Sequence, residues 1–135
     1  MVTIKNTVQK CNRCKKKSVY HRIYSGEYLC GECFKGSIIE KTRKTISSYN
    51  MMEHGDILAV AVSGGKDSLS LLDVLQRHSS KHGEKIIVIT VDEGIQEYRD
   101  EAVKLSSDMV SNMGLRQEIV SFKSLFGFTL DEALD

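Results

Sequence analysis

The chain has 135 residues, 41% of them apolar and 27% charged, with a formal net charge of +1. These values lie close to those of folded water-soluble domains and exclude a disordered or fibrous chain. No apolar run reaches the roughly 18 residues of a membrane span, and the start, Met1-Val-Thr-Ile-Lys-Asn-Thr7, lacks the apolar core of a secretory signal. The reading is therefore a cytoplasmic protein with no membrane partner.

The near-neutral total conceals an asymmetry. Residues 1–50 carry eleven Lys or Arg against Glu27, Glu32 and Glu40, a balance of +8, which leaves −7 for the remainder. A basic front beside an acidic body suits a polyanionic partner, because each phosphate contact releases counterions. A solvated lysine-rich surface would give the same count.

Residues 8–34 are too few to bury a core and have little aliphatic pattern, so something else must hold them together. Cys11-x-x-Cys14 and Cys30-x-x-Cys33, fifteen residues apart, use all four cysteines of the chain and have the two-knuckle spacing of a tetrahedral zinc site. Four thiolates fill the ion's coordination shell, which makes such a zinc structural, and its binding supplies the folding energy of the segment. The competing readings are a disulfide pair, which a reducing compartment disfavours, and an iron-sulfur cluster. His21 lies between the pairs as a replacement ligand or a surface residue, and Ser25-Gly26 reads as a hairpin turn joining them.

Residues 35–56 read as a linker. Ile38, Ile39, Ile46, Tyr49 and Met52 at helical spacing predict an amphipathic helix over 36–53, closed by Gly55-Asp56. From residue 57 to 135 the pattern becomes strand, glycine loop, helix, strand, the βαβ signature of a parallel sheet. Ile57–Val62 and Ile86–Val91 are continuous apolar runs, as in strands covered on both faces. Between them, residues 67–80 place Leu69, Leu72 and Leu75 on one stripe, and Gly83 stands where a glycine cap belongs. Tyr98, Ala102, Leu105, Met109 and Met113 predict a second helix, and 118–122 a third strand. Thr129-x-x-Glu132 has the form of a capping box, and the helix it opens would be cut short at Asp135; together with the poorly covered edge of a three-stranded sheet, this suggests a fragment of a longer protein.

Ser63-Gly64-Gly65-Lys66-Asp67-Ser68 sits between the first of these strands and its helix. Glycines there let a pyrophosphate approach the backbone, while the helix start stabilises its negative charge. The hydroxyls of Ser63 and Ser68 can donate to phosphate, Lys66 adds positive charge, and Asp67 can serve magnesium or hold the loop. The spacing is neither that of the common P-loop nor that of the dinucleotide fingerprint; the bland alternative is an ordinary tight turn. Val91-Asp92-Glu93-Gly94 ends the second strand at the same side of the sheet, so backbone near Val91 could read an adenine edge and Asp92 a metal or ribose. An acidic solvated turn is the alternative for Asp92 and Glu93. His54, His78 and His82 are given no chemistry.

The run from Val60 to Ser68 resembles the PP-loop of the N-type ATP pyrophosphatases, and its Lys-Asp-Ser ending is similar to that of the TtcA/TtuA tRNA-thiolation family. Asp92-Glu93-Gly94-Ile95, Tyr98-Arg99 and the knuckle pairs extend the likeness toward the branch of archaeal and eukaryotic cytosolic tRNA 2-thiouridine synthetases. The resemblance implies an α/β fold: a zinc knuckle or ribbon, then the first part of a doubly wound, Rossmann-like PP-loop domain. It implies ATP binding by Ala61, Ser63, Gly64, Gly65, Lys66, Asp67, Ser68, Val91 and Asp92, with Lys66 and Asp67 catalytic, magnesium as cofactor and Cys11, Cys14, Cys30 and Cys33 on zinc. The implied reaction is adenylation of a tRNA uridine C2 carbonyl, then displacement of AMP by sulfur from a ubiquitin-like carrier protein or a persulfide donor. Family members carry further cysteines for that step, where an iron-sulfur cluster can assist; none of the four here is available for it, so the chain alone is expected to be inactive. A homodimer is a further expectation. Arg13, Lys15, Lys16, Lys17 and Arg22 are the expected tRNA contacts. The alternative is a zinc-dependent tRNA-binding module whose PP-loop domain is non-catalytic or serves another purpose.

Overall fold

The computed structural model describes residues 9–94 and 99–134. The chain divides into two compact units, one ending at Tyr49 and the other beginning at Asn50.

In the first unit, strands β1 (Tyr20–Arg22) and β2 (Glu27–Leu29) form an antiparallel hairpin, with Arg22 opposite Glu27. Helix α1 (Gly31–Ser48) follows at once. It starts five residues earlier than position 36 because Cys30 is its N-cap: the backbone there is extended and Sγ accepts from the Cys33 N–H at 3.5 Å. The second cysteine pair thus lies on the first helical turn. The helix ends at Ser48 rather than continuing to 53, since Asn50 turns the chain with φ +47°. The buried cluster of this unit is small and largely sulfur: Cys11, Leu29 and Cys30, with Cys33 and Phe34 packed against it.

The second unit is a parallel sheet in the order β3 (Ile57–Ala61), β4 (Lys85–Asp92), β5 (Arg116–Ser121). Helix α2 (Lys66–His82) connects β3 to β4, and α3 (Arg99–Asn112) connects β4 to β5. Because crossovers between parallel strands are right-handed as a rule, two that advance in one direction put both helices on the same face. Burial follows: Ile86, Val88, Thr90 and Asp92 of β4 are buried, whereas Val91 is 46% exposed and Ile57 of β3 is 65% exposed. The strands expected to be covered on both faces are covered well on one.

Leu69, Leu72 and Leu75 form the buried stripe of α2, and Gly83 caps it in the left-handed conformation. Helix α3 differs from its expected stripe: Leu105 is 53% exposed, while Ser106 and Val110 are buried. The reason is a polar contact, in which Gln117 donates to Thr90 Oγ1 at 2.9 Å and to Ser106 Oγ at 3.3 Å, drawing the serine face onto the sheet. Tyr98 lies outside the described residues. His78 is buried against Glu84 at 3.6 Å, near the start of β4 and so away from the glycine loop.

After β5 come two short helices, α4 (Phe122–Phe126) and α5 (Leu130–Leu134). The capping box is formed at α5: the Thr129 N–H donates to Glu132 Oε2 at 2.8 Å, and the Glu132 N–H to Thr129 Oγ1 at 3.2 Å. Among the described residues no helix is long and apolar enough to cross a membrane.

The Thr129 N–H and the Lys123 ammonium hold the Glu132 carboxyl below its ordinary pKa. The stabilisation this gives α5 is complete above the ordinary glutamate range and disappears as the pH falls through the depressed value. An NMR titration should show the Thr129 amide shifting with that lowered midpoint, and Glu132→Gln should abolish the shift.

Candidate functional site

The first constellation is the sulfur cluster. Three local devices build it. The turn Cys11–Cys14 is closed by the Lys15 N–H on Cys11 O at 3.0 Å and the Cys11 N–H on Lys16 O at 2.7 Å, with Lys15 at φ +66°. Asn12 ties this turn to the hairpin, accepting the Tyr28 N–H on Oδ1 at 2.6 Å and donating its own N–H to Tyr28 O at 2.9 Å. The helix start then brings Cys30 and Cys33 to the same point.

All four Sγ atoms lie within 4.8 Å of one another, and Cys14 and Cys30 approach to 3.4 Å. A tetrahedral ion with sulfur ligands at about 2.3 Å requires S···S separations of about 3.8 Å, so the donor set fits a metal. Its acid-base pattern agrees. Burial pushes the Cys11 thiol up, but N–H groups of Cys30, Cys14 and Arg13 outweigh it and bring the pKa down to about 6. The Cys33 N–H lowers Cys30 as well, whereas the sulfurs of Cys14 and Cys30, with burial, push Cys33 up to about 12. Without a cation, four sulfurs this close cannot all ionise; a divalent ion removes the conflict. His21 is not in the group and stacks on Tyr28, the rings 4.2 Å apart.

Of the basic residues expected to meet a polyanion, Lys15, Lys16 and Lys17 are exposed. Arg13 pairs with Glu27 and Glu40, each at 3.5 Å. Arg22 does not reach the surface. Its side chain is 5% exposed and donates to Glu27 Oε2 at 2.8 Å and Ser37 Oγ at 2.5 Å, locking the hairpin to α1. Sequence alone gave no sign of Ser37, which acquires this role only because the helix begins at residue 31.

The second constellation is the glycine loop between β3 and α2. Gly64 adopts φ +84°, a conformation that side-chain-bearing residues rarely accept. Gly65 differs: it is the N-cap of α2 with φ −73° and no side-chain cap, and a Cβ there would meet only Ser63 Oγ at 3.5 Å. Glycine is a favoured N-cap residue, and the lack of a side chain here also leaves the backbone open to close approach by a ligand. Ser68 Oγ donates to Gly65 O at 3.0 Å and accepts the Ser63 N–H at 3.3 Å, with Ser63 Oγ 3.4 Å away, so the two serines brace the loop. Lys66 and Asp67 are about nine-tenths exposed and pair with each other at 2.5 Å. An uncapped, 17-residue helix start with an exposed lysine is an anion site in waiting.

The carboxyl end of β4 lies next to this loop, the Val62 N–H donating to Ile89 O at 2.8 Å. Ala61 and Val91 are exposed there. Asp92 is 8% exposed, and its Oδ1 accepts the Gly94 N–H at 3.1 Å. That bond engages the carboxylate in shaping its own turn. Thr129 packs against Gly94 so closely that a Cβ on residue 94 would lie 2.5 Å from the threonine methyl, and the Leu130 N–H donates to Glu93 O at 2.8 Å. The segment after β5 therefore returns to the carboxyl end of β4, which local sequence pattern did not signal.

A parallel βαβ unit with this loop at the carboxyl ends of its strands defines a nucleotide-binding α/β protein of the PP-loop class. Comparison with known proteins agrees: residues 37–128 match the PP-loop domain, and residues 10–35 match the N-terminal LIM domain of the 2-thiouridine synthetase TtuA. The chain belongs to the PP-loop family and carries a TtuA-type LIM domain at its front.

Similar proteins include the cytoplasmic tRNA 2-thiolation protein 1 of Drosophila melanogaster, 34% identical over 122 residues, covering 89% of this chain and 36% of that protein. The protein of the same name from Danio rerio is 34% identical over 125 residues, covering 90% and 36%. Among solved structures, the U34-tRNA thiolase NcsA from Methanococcus maripaludis with its [4Fe-4S] cluster superposes with a TM-score of 0.82 at 34% identity, covering 93% of this chain and 42% of that one. The NH3-dependent NAD synthetase of Campylobacter jejuni (TM-score 0.50, 14% identity, covering 70% and 37%) shares the fold alone. The chain thus spans about a third of the length of the curated relatives it matches.

Removing metal with a strong chelator should abolish the order of residues 9–49 while leaving the β3–β5 sheet intact. Loss of dispersed amide signals from the first unit alone, restored by one equivalent of zinc, is the expected NMR outcome.

Proposed function

We propose that this chain supplies the metal-stapled front and the ATP grip of a cytoplasmic tRNA 2-thiouridine synthetase. The observation that carries this reading is the conjunction in one chain of an uncapped PP-loop helix start with a four-sulfur knuckle of the TtuA type. Zinc is the ion that four thiolates of this spacing suit best.

In this reading the backbone of 63–65 and the N–H groups opening α2 receive the pyrophosphate end of ATP. Lys66 would leave its pairing with Asp67 to meet phosphate, and Asp67, thereby freed, would ligate magnesium. The ion would supply charge stabilisation on the phosphates. A uridine C2 carbonyl oxygen attacks the α-phosphorus, forming the O–P bond of an adenylated base as pyrophosphate leaves. A sulfur nucleophile from a ubiquitin-like carrier or persulfide donor then displaces AMP. All four cysteines of this chain converge on the knuckle, so in this reading sulfur is handled by groups other than these four. Exposed Lys15, Lys16 and Lys17 are the phosphate contacts for tRNA; Arg22 is excluded by its burial.

Full-length protein given labelled ATP and unmodified tRNA should release AMP only when tRNA is present, and Lys66→Ala should reduce this by about a hundredfold, the scale of losing one charge stabiliser. Binding of tRNA with no AMP under any condition would instead support a non-catalytic binding module. Gly65→Ala should retain its fold, read by circular dichroism, yet lose ATP affinity by about tenfold or more, ~1.4 kcal/mol.

A further inference from the structure

The tip of the β1–β2 hairpin breaks the chemistry of its own turn. Four residues, Ile23-Tyr24-Ser25-Gly26, close the hairpin between the paired Arg22 and Glu27. Ser25 and Gly26 are ordinary turn residues, the glycine at φ +68°. Ile23 and Tyr24 are not, and they are 86% and 73% exposed. Val19, in the approach to β1, is 73% exposed as well. Large apolar side chains held this far out in water at a turn bury little surface, and a local rule broken without a gain in burial marks a working surface.

The tip is held firmly. Its stem is fixed by the buried Arg22 bridging Glu27 and Ser37 of α1, and by Ser25 Oγ donating to Glu27 Oε2 at 3.2 Å. The base of the hairpin runs directly into the sulfur cluster through Leu29 and Cys30. The tyrosine ring is also flanked by cations. Lys41 Nζ lies 4.8 Å from its centroid and donates to its hydroxyl, and the Arg22 guanidinium carbon lies 5.7 Å from the centroid. A ring polarised by adjacent positive charge, oriented by its hydroxyl and mostly open to solvent, is built to receive another flat, electron-rich ring. The basic balance of the front segment and the exposed Lys15, Lys16 and Lys17 of the same unit favour a polyanion bearing such rings over an apolar protein surface.

We propose that Tyr24 is a stacking platform for an unpaired nucleobase of the RNA substrate, with Ile23 packing beside it and Lys41 meeting the adjoining phosphate. The assignment rests on the tRNA reading above and adds the residues that distinguish a looped-out base from duplex backbone. Phosphate contacts alone would be insensitive to RNA secondary structure; a stacked base requires a single-stranded segment.

The test measures affinity of the full-length, zinc-loaded protein for an unmodified tRNA transcript across a salt series. Tyr24→Ala should weaken binding by about tenfold with an unchanged salt slope, since no charge is removed. Tyr24→Phe should stay near wild type, whereas Lys15→Gln with Lys16→Gln should lower the slope. Unchanged zinc content and dispersed amide spectra establish that the variants fold. Equal affinity of Tyr24→Ala and wild type for tRNA overturns the platform, as does a change confined to self-association, which would make the tip a protein contact. Failure of the wild-type protein to bind tRNA at any salt concentration overturns the functional reading itself.

Discussion

Four sulfur atoms within 4.8 Å of one another are the constraint on which the front of this protein depends. A segment of some forty residues cannot bury enough apolar surface to offset the entropy of ordering its backbone. Here the buried cluster is two cysteines and a leucine, with a third cysteine and a phenylalanine against it. Four thiolates within 4.8 Å of one another repel too strongly to share that space without a counter-charge. A cation held by the four sulfurs would resolve the electrostatic conflict and replace the missing core at once. The hairpin, the N-terminus of α1 and the Arg22 bridge all follow from where those sulfurs must meet.

The second unit rests on a different economy. Its sheet is built by parallel pairing of β3, β4 and β5, with α2 and α3 as crossovers, so the carboxyl ends of β3 and β4 and the start of α2 fall together by topology. The loop there has Gly64 in a left-handed backbone conformation and Gly65 capping the start of α2 without a side chain. Its charged residues pair with each other in solvent, a cheap arrangement that a phosphate can displace.

Much of this was legible in the sequence because it depends on local spacing. Paired cysteines, a glycine loop between an apolar run and a helical stripe, the Gly83 cap and the Thr129–Glu132 capping box are short-range patterns, and each has its structural counterpart. Where periodicity misled, a longer-range contact had intervened. The α3 stripe rotated toward Ser106 because Gln117 on a neighbouring strand needed partners. The linker helix began at residue 31 because a cysteine had to cap it.

The sequence by itself determined the metal donor set, the nucleotide loop and the α/β order of elements, since these follow from residue type and separation along the chain. Tertiary structure alone decided which charges are available. Arg22 and Lys15 are equivalent in a count of basic residues, yet one is enclosed by Glu27 and Ser37 and the other faces water. It also decided that Asp92 shapes a turn, and that Tyr24 stands exposed beside Lys41 rather than packed inside. Burial and pairing are relations between residues distant in sequence, and they exist only once the chain has closed on itself.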